Sequence, residues 1–117
     1  MKINSMRTLL TILYTLAGIS LAQAHAFLDH ASPRVGSTVA PPDHLELWMT
    51  EGLEPAFTKV QVFDAQGREV DKKDAKISGA TMTVSLPKLA PGKYLVKWKA
   101  VATDTHTTTG TFNFTVQ

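Results

Sequence analysis

The chain has 117 residues, no cysteine, 44% apolar side chains and a formal net charge of +2. That is one domain with enough apolar material for a core, and the missing cysteines exclude disulfide scaffolds, thiolate metal sites and thiol redox chemistry. Lys2 and Arg7 carry the charge excess, so residues 25–117 hold ten basic and ten acidic side chains, which gives a nucleic-acid partner no electrostatic support.

Met1 to Arg7 reads as a short basic leader, and Leu9 to Leu21 as an apolar run. As a helix that run spans about 20 Å, short of the ~30 Å hydrocarbon core of a bilayer. Ala22-Gln23-Ala24 follows with the small-x-small pattern of a signal peptidase site. Residues 1–24 are therefore expected to be a cleaved signal peptide, and residues 25–117 the exported domain.

From His25 onward the pattern is that of strands and turns. Ala26 to Ala31 is a first strand, stopped by Ser32-Pro33 and Gly36. His44 to Thr50 alternates, with Leu45, Leu47 and Met49 on one side. Lys59 to Asp64 sets Val60 and Val62 on one face, and Asp64 to Gly67 reads as a turn. Arg68 to Lys76 is charged and poorly patterned, either an edge strand or a loop. Thr81 to Leu86 alternates, with Met82, Val84 and Leu86 inward. Tyr94 to Val101 sets Tyr94, Val96 and Trp98 against Leu95, Lys97 and Lys99. Thr111 to Val116 closes the chain with Phe112, Phe114 and Val116 on one face. Trp48 and Trp98 are expected in or near the core. No sustained helical period occurs after residue 25. About seven short strands spaced by turn signals predict an all-β Greek-key sandwich or barrel.

Four histidines are present: His25, His30, His44 and His106. Two of them stand out. If cleavage follows Ala24, His25 becomes the N-terminal residue, and its α-amine and Nδ1 close a six-membered chelate ring on one metal ion. A chelate from one residue avoids the ordering entropy of separate ligands. The other is His106, in Asp104-Thr105-His106. On an extended backbone, residues two apart project to one face, so Asp104 and His106 are expected to point together. Three nitrogens and one oxygen from His25, His106 and Asp104 suit Cu(II), with Zn(II) as the main rival; one carboxylate cannot build a calcium cage. His30 and His44 are read as ordinary surface or packing residues, and Met49 and Met82 as core.

Several stretches resemble the CopC family of periplasmic copper-resistance proteins. They are His25-Ala26-x-Leu28 with Ser32-Pro33 and Gly36, Thr50-Glu51-Gly52-Leu53, and Pro91-Gly92-x-Tyr94. Trp98, Ala100-Val101, Asp104-Thr105-His106 and Gly110 complete the likeness, which covers nearly all of residues 25–117. The resemblance implies an immunoglobulin-like or cupredoxin-like Greek-key fold and a periplasmic location. It also implies Cu(II) bound by His25, Asp104 and His106, with Glu51 beside the site. As partner it implies an inner-membrane copper transport protein. Some members of the family carry a methionine-rich loop for Cu(I); Phe63 to Met82 has one methionine and no histidine, so a Cu(II)-only protein is expected.

The leading reading is a monomeric copper carrier or buffer, not an enzyme. A histidine-brace copper oxidase or monooxygenase is the first rival, since it too uses an N-terminal histidine. A sandwich interaction module that binds no metal is the second.

Overall fold

The computed structural model describes residues 25–117, and the expected signal segment lies outside the described residues. Eight strands follow: β1 (Leu28–Ser32), β2 (Thr38–Val39), β3 (His44–Met49), β4 (Lys59–Phe63), β5 (Lys76–Ser78), β6 (Thr81–Ser85), β7 (Gly92–Val101) and β8 (Thr107–Val116). They form two four-stranded sheets, ordered β1-β3-β6-β5 and β2-β8-β7-β4. All pairings are antiparallel except β2 with β8. The chain passes repeatedly from one sheet to the other, and the result is an all-β sandwich, as the spacing of turns predicts.

Side-chain alternation builds the core. Leu45 and Leu47 of β3, Met82 and Val84 of β6, Val62 of β4, Val96 of β7 and Phe114 of β8 are all at most 1% exposed. Each contributes about 2 kcal/mol of apolar burial. Tyr94 stacks on Phe114 between the sheets, with ring centroids 5.6 Å apart.

The structure departs from expectation in three places and settles Arg68 to Lys76 as the loop of the two alternatives. β1 starts at Leu28, two residues later than expected, because residues 25–27 are held by loop contacts outside the sheet. Two strands were not expected: β2 has two residues and β5 three, too short to show a period. Most of Arg68 to Lys76 is a loop, and only Lys76 joins a strand. Inside that loop Asp71 is buried and accepts from the Val62 and Lys73 amides, at 2.9 and 3.2 Å. Finally, Trp98 faces inward but Trp48 does not. It is half-buried on the outer face of its sheet, stacked against the His30 ring at 4.3 Å and 8°.

Candidate metal centre

Residues 25–27 are fastened to both sheets. On one side, the Thr50 hydroxyl donates to the His25 carbonyl at 3.2 Å and accepts from the Phe27 amide at 2.9 Å. The Thr50 amide donates to the Phe27 carbonyl at 2.8 Å. On the other side, the Thr108 hydroxyl of β8 donates to the carbonyl of Ala26, a residue with no exposed surface. With Ala26 buried and its neighbours bonded left and right, His25 has little freedom in where it sits.

It sits against the β7–β8 turn. The rings of His25 and His106 lie 4.7 Å apart, edge to face at 76°. Phe27 flanks His25 on another side at 6.0 Å. The turn is tight and well bonded. The Ala102 amide donates to the His106 carbonyl at 2.9 Å, and the Thr105 amide to the Ala102 carbonyl at 2.8 Å. The Thr103 amide donates to the Gly52 carbonyl at 3.1 Å, which ties the turn to the loop after β3.

Asp104 and His106 meet, but not by strand alternation. They lie in the turn, where Thr105 has φ +74°. That left-handed residue, uncommon outside glycine and asparagine, folds the backbone so that Asp104 brackets His106. Its Oδ1 accepts from the His106 amide and its Oδ2 faces His106 Nδ1, both at 3.1 Å. The expectation of an extended Asp-x-His is therefore corrected: a short carboxylate satisfying the turn's own N–H makes the juxtaposition.

The His106 amide, then the His106 ring, and at longer range the His25 ring hold the Asp104 carboxyl below the ordinary carboxylate range. The contact also orients the histidine. A carboxylate on Nδ1 fixes the tautomer with the proton there and leaves the Nε2 lone pair for a metal ion. Among the described residues, no three His, Asp or Glu side chains form a metal-sized group. His25, Asp104 and His106 therefore do not converge on one ion as they stand. The backbone nitrogen of His25 is a poor donor as a peptide amide and a good one as a free amine.

The other named residues fall elsewhere. Glu51 is exposed, between Thr50 and Gly52, and only those two neighbours bond the site's backbone. His30 and His44 pair with Asp29 and Asp43, at 2.7 and 2.6 Å, on the β1-β3-β6-β5 sheet. Met49 and Met82 are buried, 5% and 0% exposed, so neither sulfur is presented to an ion. Sequence reading missed Thr50 and Thr108 as anchors; a threonine among threonines carries no signal of its own.

Residues 28–117 match the CopC domain model. Copper resistance protein C of Pseudomonas syringae pv. tomato is 36% identical over 107 residues, covering 84% of this chain and 85% of the relative. The crystal structure of CopC from Methylosinus trichosporium OB3b superposes with a TM-score of 0.70 at 34% identity, covering 80% of this chain and 94% of that one. PcoC, a methionine-rich copper resistance protein from Escherichia coli, gives 0.71 at 30% identity, covering 80% and 100%. A domain match over most of its length, and relatives of the same size and fold, show that the chain belongs to the CopC family.

Proposed function

We propose that residues 1–24 are removed on export and that the remaining domain is a periplasmic Cu(II)-binding protein, a carrier or buffer in copper resistance. The observation that carries this reading is the approach of the His25 and His106 rings to 4.7 Å, with Asp104 on the Nδ1 side of His106. The ligands are the His25 amine and Nδ1, a ring nitrogen of His106 and an oxygen of Asp104, which turns from the His106 ring to meet the ion. Asp104 Oδ1 is committed to the His106 amide, whereas Oδ2 has only the His106 ring as partner. Nitrogen donors favour Cu(II) in the first-row order, and two buried methionines leave Cu(I) without soft ligands. The copper is cargo: a delivering role would have an inner-membrane copper transport protein as recipient. The copper-resistance names of the relatives point the same way.

The test compares the domain beginning at His25 with one bearing a single extra glycine before it. The insertion keeps both imidazoles and Asp104 but turns the amine into an amide. Cu(II) titration followed by visible absorption and EPR should show affinity falling at least 100-fold and the three-nitrogen signature lost. Equal affinity in the two proteins would refute amine ligation and with it the site.

A further inference from the structure

The charge of the exported domain balances, but its distribution does not. The strands of the β2-β8-β7-β4 sheet contain no Asp or Glu, and four lysines: Lys59 on β4, and Lys93, Lys97 and Lys99 on β7. All four are exposed on the outer face of that sheet. Lys59 stands directly opposite Lys99 in the β4–β7 register, and Lys97 lies beside them opposite Gln61. Like charges facing each other across strands are destabilising. Two acids, Glu69 and Asp71, share a neighbouring hollow with Lys59; Glu69 pairs with Phe63 at the sheet edge and accepts from Gln61 at 3.2 Å. Among the described residues, Arg68–Asp64 is the one Lys/Arg–carboxylate ion pair, so the four lysines have none.

The face is shaped as well as charged. Lys59, Gln61, Lys97, Lys99, Thr109 and Thr111 border a shallow hollow of about 420 Å³, with Trp98 and Gly110 also in its lining. Lys97 extends its ammonium over the Phe63 ring, 5.1 Å from the centroid. Threonines 107, 109, 111 and 115 continue the surface along β8. The opposite sheet is unlike it, with Asp29 and Glu46 in its strands against a single Lys76.

We propose that this lysine face docks the domain, reversibly, on an anionic bilayer surface. Its composition decides between the two kinds of anionic partner. Protein interfaces centre on aromatic and arginine anchors and are depleted in lysine. On this face the aromatic rings are covered, Phe63 half-buried beneath Lys97 and Trp98 at the floor of the hollow, and Phe57 is exposed just before β4. The lysines and threonines around them suit a diffuse field of headgroup charge, to which each lysine adds a roughly equal increment. Lysine, a mobile point charge, needs no fixed partner geometry. Docking would also place the metal end. Lys97 and Lys99 belong to the same hairpin whose turn carries Asp104 and His106, so the copper-binding end would be held at the membrane margin. The lysine face does not depend on the metal reading, and metal-free protein docks equally.

The test uses residues 25–117, which contain all eight strands and the core. It measures co-sedimentation with phosphatidylglycerol/phosphatidylethanolamine vesicles at low ionic strength, without copper. Binding is expected on these vesicles, absent from phosphatidylcholine vesicles, and lost on adding salt. K59E/K97E/K99E should weaken it by about 100-fold or more. K72E/K76E/K88E, the same charge change away from this face, should leave most of it intact. K59Q/K97Q/K99Q should also lose binding while keeping its melting temperature, which separates docking from folding. Equal losses in the two glutamate triples would overturn the face assignment. Binding to polyglutamate but not to vesicles would overturn the membrane in favour of an acidic protein.

Discussion

Gly110 shows how much one hydrogen atom can decide. It faces Trp98 across the β7–β8 pair, on the inner side of the sheet. A β-carbon there would lie 2.3 Å from Trp98 Cζ2 and 2.6 Å from Cε2, far inside van der Waals contact. The indole is packed flat over the glycine and is 9% exposed. Gly110→Ala is therefore expected to push the ring out of place and destabilise the domain by about 1–3 kcal/mol, as overpacking does. Chemical denaturation measures it; a stability equal to the parent's would mean that Trp98 moves aside freely. The disturbance should reach the metal end, since Thr108, two residues away on the same face, anchors Ala26. Little of this is legible in the sequence. Trp98 reads as core and Gly110 as part of a family likeness, but their contact depends on a register across a hairpin. His25 and His106 are separately visible as histidines with something beside them. Their approach rests on Thr50, Thr108 and the left-handed Thr105, none of which announces itself.

The elements themselves divide by how much they bury. β3, β6 and β7 are legible because a half-buried strand must alternate, and Leu45-Glu46-Leu47-Trp48-Met49 does so without a break. β8 is legible only from Thr111 on; its first four residues are three threonines and a glycine, paired with β7 but without an apolar period. The loop between β4 and β6 is held instead by carboxylates. Asp64 accepts from the Gln66 and Arg68 amides, each at 2.9 Å, and from Arg68 Nε at 3.2 Å. Asp74 accepts from the Ser85 amide at 2.9 Å, fixing the loop to the end of β6. The Arg68 amide, with the Gln66 amide and the Arg68 charge, holds the Asp64 carboxyl below its ordinary range; the Ser85 hydroxyl and amide do the same for Asp74. Acids depressed in the folded state contribute stability that is complete above their unfolded pKa and is lost as pH falls through the folded one. Metal-free domain should thus lose stability below about pH 4. D64N/D74N should show a shallower fall in melting temperature between roughly pH 5 and 3. A fall as steep as the parent's would assign acid sensitivity to other groups.

At the scale of the whole molecule, the N-terminal segment is one of the pieces that join the two sheets at one end. Thr50 holds it from the loop after β3 and Thr108 from β8, beside the direct bonds of Thr103 to Gly52 and Glu54 to Val101. A sandwich of this size without cysteine has no covalent staple, and such domains keep a thin margin of stability. A metal ion bound by His25, Asp104 and His106 would tie the terminus to the β7–β8 turn across that closure. The His25 chelate survives unfolding, but only the native state would bring Asp104 and His106 to it, so binding there would add to folding stability according to the difference in affinity and the free metal concentration. At free Cu(II) one hundred times the dissociation constant the gain is at most about 2.7 kcal/mol. For a domain of this length that is a rise of roughly 10–20 °C in melting temperature. The rise should shrink as pH falls, because the amine and imidazoles must each lose a proton to bind. It should vanish with a chelator and in His106→Ala, although that exposed residue is not expected to alter the metal-free melting temperature by more than a few degrees. Scanning calorimetry of the His25-initiated domain, with and without Cu(II), makes the measurement. If copper raised the melting temperature of the glycine-extended domain as much as that of the parent, the ion would be held elsewhere, and the terminus would be a structural clamp alone.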